Sequence, residues 1–212
     1  MSARVAVLVS GSGTNLQALI DSADNADSSV EIAVVVSNNE DAYGLERARK
    51  AGIEALHIDH RGKKRTVYDR ELADALQARG VQWVFLAGFM RILTSDFLAA
   101  FADRVINIHP ALLPSFPGVR GQQQAYEAGV QIAGATVHFV DAGTDTGPII
   151  AQGAVARLPT DTLDELSARI LGAEHRLFPM VMQWAGEGRL SVGERGAQVD
   201  LKEGESRFLF GG

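Results

Sequence analysis

Val5-Ala-Val-Leu-Val9, then Ser10-Gly-Ser-Gly-Thr-Asn15 and Leu16-Gln-Ala-Leu-Ile20, is the stretch that decides the fold. The apolar run is far shorter than the ~18 residues a membrane span needs. It is also too short for a signal-peptide core, and it ends in glycines. Such a run reads as a strand buried on both faces, as in a parallel sheet. A helix over Asn15–Ser22 follows the turn.

The same alternation continues outward. Glu31–Val36, Ala55–Ile58, Val81–Ala87 and Val105–Ile108 read as strands. Tyr43–Ala51, Thr66–Arg79 and about Ser95–Phe101 read as the helices between them. Strand–helix–strand order predicts an α/β fold: a mostly parallel, doubly wound sheet with helices on both faces. The second half differs. Pro110, Pro114 and Pro117 predict an irregular loop after His109. Ala133–Val140 and Pro148–Ala156 are β-rich runs joined by polar Asp141–Gly147, and predict an antiparallel pair added at the sheet edge. Thr160–Trp184 reads as one long helix that Pro179 kinks or ends. One domain is expected over residues 1–193, with a Gly-rich, charged tail, 194–212, partly docked on it.

The 212-residue chain has no cysteine, which excludes disulfide frameworks, thiolate metal sites and cysteine nucleophiles. Its formal charge of −6 disfavours nucleic-acid and anionic-membrane surfaces. A single anion site remains compatible with that average. A cytoplasmic protein is expected.

Three constellations carry chemistry. In Ser10-Gly-Ser-Gly-Thr-Asn15, glycines permit a tight turn and the free N–H groups of a helix start favour an anion. Leu16 stands where a dinucleotide fingerprint needs its third glycine, and a Gly-Lys-Ser/Thr run is missing, so a terminal phosphate fits better. The alternative is a plain strand–helix turn capped by Ser12 or Thr14. In Ile106-Asn107-Ile108-His109-Pro110, strand alternation points Asn107 and His109 to one face, roughly 6–7 Å apart. An amide donor beside an imidazole suits acyl transfer, one stabilising an oxyanion and the other moving a proton. The alternative is a strand-end histidine bonded to the next loop. In Asp141–Pro148, Asp141 and Asp145 are candidates for metal binding, for supporting a base, or for solvated turn positions.

Other residues have plainer readings. His57 and His60, three apart with Asp59 between, could hold a metal but read more simply as surface residues; His138 reads as a core histidine or a support for the site, and His175 as half-exposed. Arg61, Lys63, Lys64 and Arg65 form a basic run that is either solvated or faces an anionic substrate tail. Trp83 and Trp184 read as core.

Together these stretches resemble the phosphoribosylglycinamide formyltransferases, a folate-using family within the wider formyltransferase superfamily. The resemblance runs from about Val5 to Leu190. It rests on Ser10–Leu16, Leu86-Ala-Gly-Phe-Met-Arg-Ile-Leu93, Asn107-Ile-His-Pro-Ala-Leu-Leu-Pro114, and Val137-His-Phe-Val140 with Asp145. It implies that Gly13, Thr14 and Asn15 bind a ribose phosphate, and that Leu171, Gly172, Ala173 and Glu174 meet the ribose or glycinamide. Arg65, Met90, Arg91, Ile92 and Leu93, with Asp141, Ala142, Gly143 and Thr144, would line the site of 10-formyltetrahydrofolate. The amine would attack the formyl carbon directly. Asn107 would stabilise the oxyanion, His109 would act as a cation, and Asp145 would support it and order a water. No metal is implied.

The resemblance departs at Val119-Arg-Gly-Gln-Gln-Gln124, where relatives usually carry a histidine at the position of Arg120. Small molecules are the expected partners, with no nucleic acid or membrane, and a homodimer is left open. Two rivals in the superfamily fit less well. The transfer-RNA enzyme is expected to have a further C-terminal domain and a basic surface. The formyltetrahydrofolate deformylase is expected to have an N-terminal regulatory domain ahead of the first strand. A non-catalytic phosphate-ligand-binding module is the third alternative, and retention of Asn107, His109 and Asp145 together argues against it.

Overall fold

A computed structural model describes residues 2–211; Met1 and Gly212, at the outer ends of the expected domain and tail, lie outside the described residues. The apolar run becomes β1 (Ala3–Val9) and the glycine turn leads into α1 (Thr14–Ala23). Then follow β2 (Val30–Ser37), α2 (Tyr43–Lys50), β3 (Ala55–His57), α3 (Arg65–Gln77), β4 (Trp83–Leu86), α4 (Ser95–Ala100) and β5 (Val105–His109). The second half adds α5 (Gly121–Glu127), β6 (Ile132–Phe139), β7 (Ile149–Ala156), α6 (Leu163–Gly186), β8 (Leu190–Gly193), β9 (Gly196–Val199) and β10 (Phe208–Gly211).

Eight strands form one sheet in the order β10-β7-β6-β5-β4-β1-β2-β3. The pairs from β3 to β5 are parallel, β5–β6 and β6–β7 are antiparallel, and β10 runs parallel to β7. Alternation along β1 divides the core. Val5, Val7 and Val9 join the cluster under α1, α2 and α6, whereas Ala6 and Leu8 join the one under α3 and α4. Burial on both faces is why β1 has no polar alternation. The doubly wound, mostly parallel α/β sheet with an antiparallel addition is therefore the observed fold.

Several elements differ from the sequence reading. The stretch after His109 is irregular only through Arg120. Beyond it, Gly121-Gln-Gln-Gln-Ala-Tyr-Glu127 forms α5, because glutamine, alanine and glutamate are good helix formers. Arg120, with φ 61°, turns the chain into that helix. The helix containing Pro179 continues to Gly186. Its start is firm: Thr162 and Glu165 form a reciprocal capping box. The antiparallel pair does not end the sheet, since β10 covers β7. β8 and β9 form a separate hairpin. Among the described residues, no helix is long and apolar enough to cross a membrane.

Candidate active site

β1 has β2 on one side and β4 on the other, so the strand order reverses there. Ligands of open α/β sheets bind in the crevice beyond the carboxyl ends of the strands at such a point. A cleft of about 460 Å³ opens at this place, lined from the ends of β4, β5 and β6, the start of α1, and α6.

Its floor is the Asn107–His109 pair. Ile106 and Ile108 are buried in the core beneath α6, and Asn107 and His109 line the cleft. β6 runs antiparallel to β5 in a register that sets His138 opposite Asn107 and Thr136 opposite His109. The loop after β6 then returns Asp145, in a left-handed conformation with φ 55°, to the same floor. Asp145 Oδ2 lies 3.3 Å from His109 Nδ1, and Oδ1 lies 3.6 Å from His138 Nε2.

The hydrogen bonds fix which ring nitrogens carry protons. His138 Nδ1 is 2.8 Å from the Phe139 carbonyl, which only accepts, so that nitrogen is protonated. Its Nε2 lies 3.1 Å from Asn107 Nδ2. His109 Nε2 donates to the Phe116 carbonyl at 2.8 Å, which leaves Nδ1 facing the Asp145 carboxylate. Both ring nitrogens of His109 thus face acceptors, the Phe116 carbonyl and the Asp145 carboxylate. Burial pushes the Asp145 carboxyl up, but the nearby His138 ring, the bond from the Gly118 N–H and the His109 ring outweigh it and hold it below its ordinary value. The Gly118 bond is 2.7 Å long.

At one end of the cleft stands the start of α1. Neither Ser12 nor Thr14 caps it; the N-cap is Gly13, φ 69°, and it carries no side-chain bond. Among the described residues, the N–H groups of Thr14 and Asn15 have no protein acceptor, so this helix end can receive an anion. A Cβ on Gly13 would lie 2.8 Å from Gly44 Cα, in a backbone conformation that side chains disfavour. Gly13→Ala is therefore expected to destabilise the fold by about 2 kcal/mol or more. Urea unfolding measures this, and an unchanged midpoint would contradict the close packing.

Behind this end lies Glu174, 4% exposed, which accepts from Asn15 Nδ2 at 2.5 Å. Burial pushes its carboxyl up to about 7, against a smaller downward pull from Asn15. At the other end, Met90 and Ile92 are 69% and 59% exposed and form an apolar wall opposite the polar loop Asp141–Asp145. The cleft thus has one apolar and one polar side at this end.

The cleft gathers Thr14, Asn15, Met90, Arg91, Ile92, Leu93, Asn107, His109, Asp141, Gly143, Thr144, Asp145, Leu171 and Glu174 of the expected residues. Five expected residues do not line it. Gly13 is buried within the turn, and Ala142 is exposed. Leu171 and Glu174 are three apart and share a helix face, so Gly172 turns to solvent and Ala173 into the core. Arg65 heads α3, exposed and away from the cleft. His57 and His60 are likewise outside it, and His60 bonds the Asn38 carbonyl at 3.0 Å.

The sequence reading missed Gly121, whose position lets α5 begin against the ring of His109: a Cβ there would lie 3.2 Å from Nε2. It also left open the place of His138, which the β5–β6 register sets in the floor. Arg120 lines the cleft.

The formyl transferase family matches residues 3–182. The chain is 48% identical over 208 residues to the trifunctional purine biosynthetic protein adenosine-3 of Drosophila pseudoobscura pseudoobscura, covering 95% of this chain and 15% of that protein. The chain thus spans a small part of the length of that relative. It is 43% identical over 198 residues to the phosphoribosylglycinamide formyltransferase of Escherichia coli (strain K12), covering 92% of this chain and 93% of that one. The crystal structure of glycinamide ribonucleotide transformylase 1 from Symbiobacterium toebii superimposes with a TM-score of 0.90 at 51% identity, covering 93% of this chain and 94% of that one. A match over most of the chain, in sequence and in fold, shows that this chain belongs to the formyl transferase family.

Proposed function

We propose that the protein transfers the formyl group of 10-formyltetrahydrofolate to the amine of 5'-phosphoribosylglycinamide, a step of purine biosynthesis. One observation carries this reading. Asn107, His109 and Asp145 meet on the floor of a single cleft, between a helix end suited to phosphate and an apolar wall suited to a folate ring.

In this reading the phosphate rests on the N–H groups at Thr14 and Asn15, and Glu174 meets the ribose or the glycinamide. Met90, Ile92 and Leu93 hold one face of the folate, and the loop from Asp141 to Thr144 meets its polar edge. The amine nitrogen attacks the formyl carbon, forming the new C–N bond and an oxyanion. Asn107 donates an N–H to that oxyanion, and His109 as a cation stabilises it. Collapse restores the carbonyl and breaks the bond to the folate nitrogen, which takes up a proton as the amine loses one. In the resting geometry the Nε2 proton of His109 is engaged with Phe116. Delivery of that proton requires this bond to open. Asp145 holds the ring and orders a water for proton transfer. Small-molecule partners and a cytoplasmic setting belong to the same reading.

A formyl-transfer assay with 10-formyltetrahydrofolate, run with and without glycinamide ribonucleotide, tests it. Tetrahydrofolate release only in the presence of the amine is expected. Equal release without the amine would make the protein a deformylase, and no release in either arm would leave a ligand-binding module.

A further inference from the structure

We infer that Ser10 is a positioning residue for the folate wall of the cleft, an inference that rests on the function proposed above. The wall is the segment between β4 and α4. Its apolar side chains Phe89 and Leu93 are buried in the core, but Met90 and Ile92 are exposed, so nothing in front of these two holds them. The segment is held from behind. Ser10 Oγ accepts the Met90 N–H at 2.9 Å and donates to Asn38 Oδ1 at 2.6 Å. The Ser10 N–H also donates to the Gly88 carbonyl at 3.1 Å, and the Ser10 carbonyl accepts from Asn39 Nδ2 at 2.7 Å. One residue thereby ties together the carboxyl ends of β1, β2 and β4.

The far end of the segment has its own anchor. The Thr94 N–H donates at 2.6 Å to Oδ2 of Asp69, which is buried on α3. Between the two anchors the Arg91 guanidinium lies 4.6 Å over the Tyr68 ring. Of the two anchors, Ser10 is the one that bonds the backbone of an exposed wall residue, whereas the residue before Thr94, Leu93, is already held by its burial. Its hydroxyl uses its proton on Asn38, which directs a lone pair at the Met90 N–H and fixes the tilt of that peptide. Ser10 does not line the cleft, so its hydroxyl acts on the wall through the Met90 N–H.

The glycine turn does not depend on this hydroxyl. Its carbonyls are held from α2, Gly11 by the Gly44 N–H at 3.0 Å and Ser12 by Arg47 Nε at 2.9 Å. Loss of the Ser10 hydroxyl is therefore expected to disturb one ligand and spare the other, an asymmetry that a general loss of structure would not produce.

The test is titration calorimetry on the full chain, with tetrahydrofolate and glycinamide ribonucleotide as separate probes. Ser10→Ala is expected to weaken tetrahydrofolate binding by roughly fivefold, the loss of one net hydrogen bond. Binding of the ribonucleotide should change by less than about twofold, and Ser10→Thr, which keeps the hydroxyl, should bind tetrahydrofolate nearly as the unaltered protein does. Unchanged tetrahydrofolate affinity in Ser10→Ala, or equal weakening of both ligands, would overturn the inference. Failure of the unaltered protein to bind either probe would instead overturn the proposed function.

Discussion

Asp145→Asn is expected to lower kcat for formyl transfer by roughly 10²–10⁴-fold, the usual contribution of a positioned proton-transfer system. The substitution keeps the shape of the side chain and one acceptor oxygen for the Gly118 N–H. What it removes is the negative charge facing Nδ1 of His109. Without that charge nothing beside the ring favours the cationic form that the proposed chemistry uses, and an uncharged imidazole stabilises an oxyanion far less. His109→Ala should fall by a similar factor for the complementary reason. It leaves Asp145 held by Gly118 and His138, so no carboxylate is orphaned and the fold persists. The charge also matters for stability. A carboxyl held below its ordinary value gives up its proton more readily folded than unfolded. Its stabilisation is therefore present above the ordinary value of 3.8 and is lost as pH falls through the folded one. Steady-state kinetics with circular dichroism on both variants decides the matter. Full activity in either variant, with native spectra, would remove that residue from the proposed chemistry.

The sequence makes some of this site legible and conceals the rest, for physical reasons. The pairing of Asn107 with His109 follows from strand alternation, a local rule, and the structure sets both on one floor. Asp145 is different. Its approach to His109 depends on the antiparallel β5–β6 register, a pairing of distant stretches, and on a left-handed backbone at Asp145 itself, which no periodicity marks. Only the family resemblance brought it into the site beforehand. Gly172 and Ala173 show a local rule left unapplied, since the period of α6 already separates them from Leu171 and Glu174. α5 was hidden because three prolines dominate the reading of the segment before it. The bonds from Ser10 to Met90 and from Asp69 to Thr94 join residues far apart in the chain, and no periodicity reveals them.

Glu174→Gln is expected to stabilise the ligand-free protein while weakening its hold on substrate. Glu174 is almost wholly buried and its carboxyl is pushed up to about 7, against an ordinary 4.5. The folded state thus binds this proton more tightly than the unfolded chain does. Below pH 4.5 both states are protonated and the group costs nothing. As pH rises from there the unfolded chain releases its proton first, and the penalty grows until the folded carboxyl also ionises near 7. Above that it levels off at about 3 kcal/mol, from 1.36 kcal/mol per pKa unit. Glutamine avoids the penalty and keeps an oxygen for Asn15 Nδ2. Its own amide can also donate to Asn15 Oδ1, a buried oxygen that has no partner among the described residues. The melting temperature of the variant should therefore exceed that of the unaltered protein by roughly 5–10 °C at pH 8. The difference should shrink towards zero below pH 4.5. Substrate affinity should fall, as expected where a buried binding carboxyl has been retained at the expense of stability. Differential scanning calorimetry across this pH range is decisive. A difference independent of pH, or a variant less stable at pH 8, would show that Glu174 is not held in the folded protein at the cost of a buried charge.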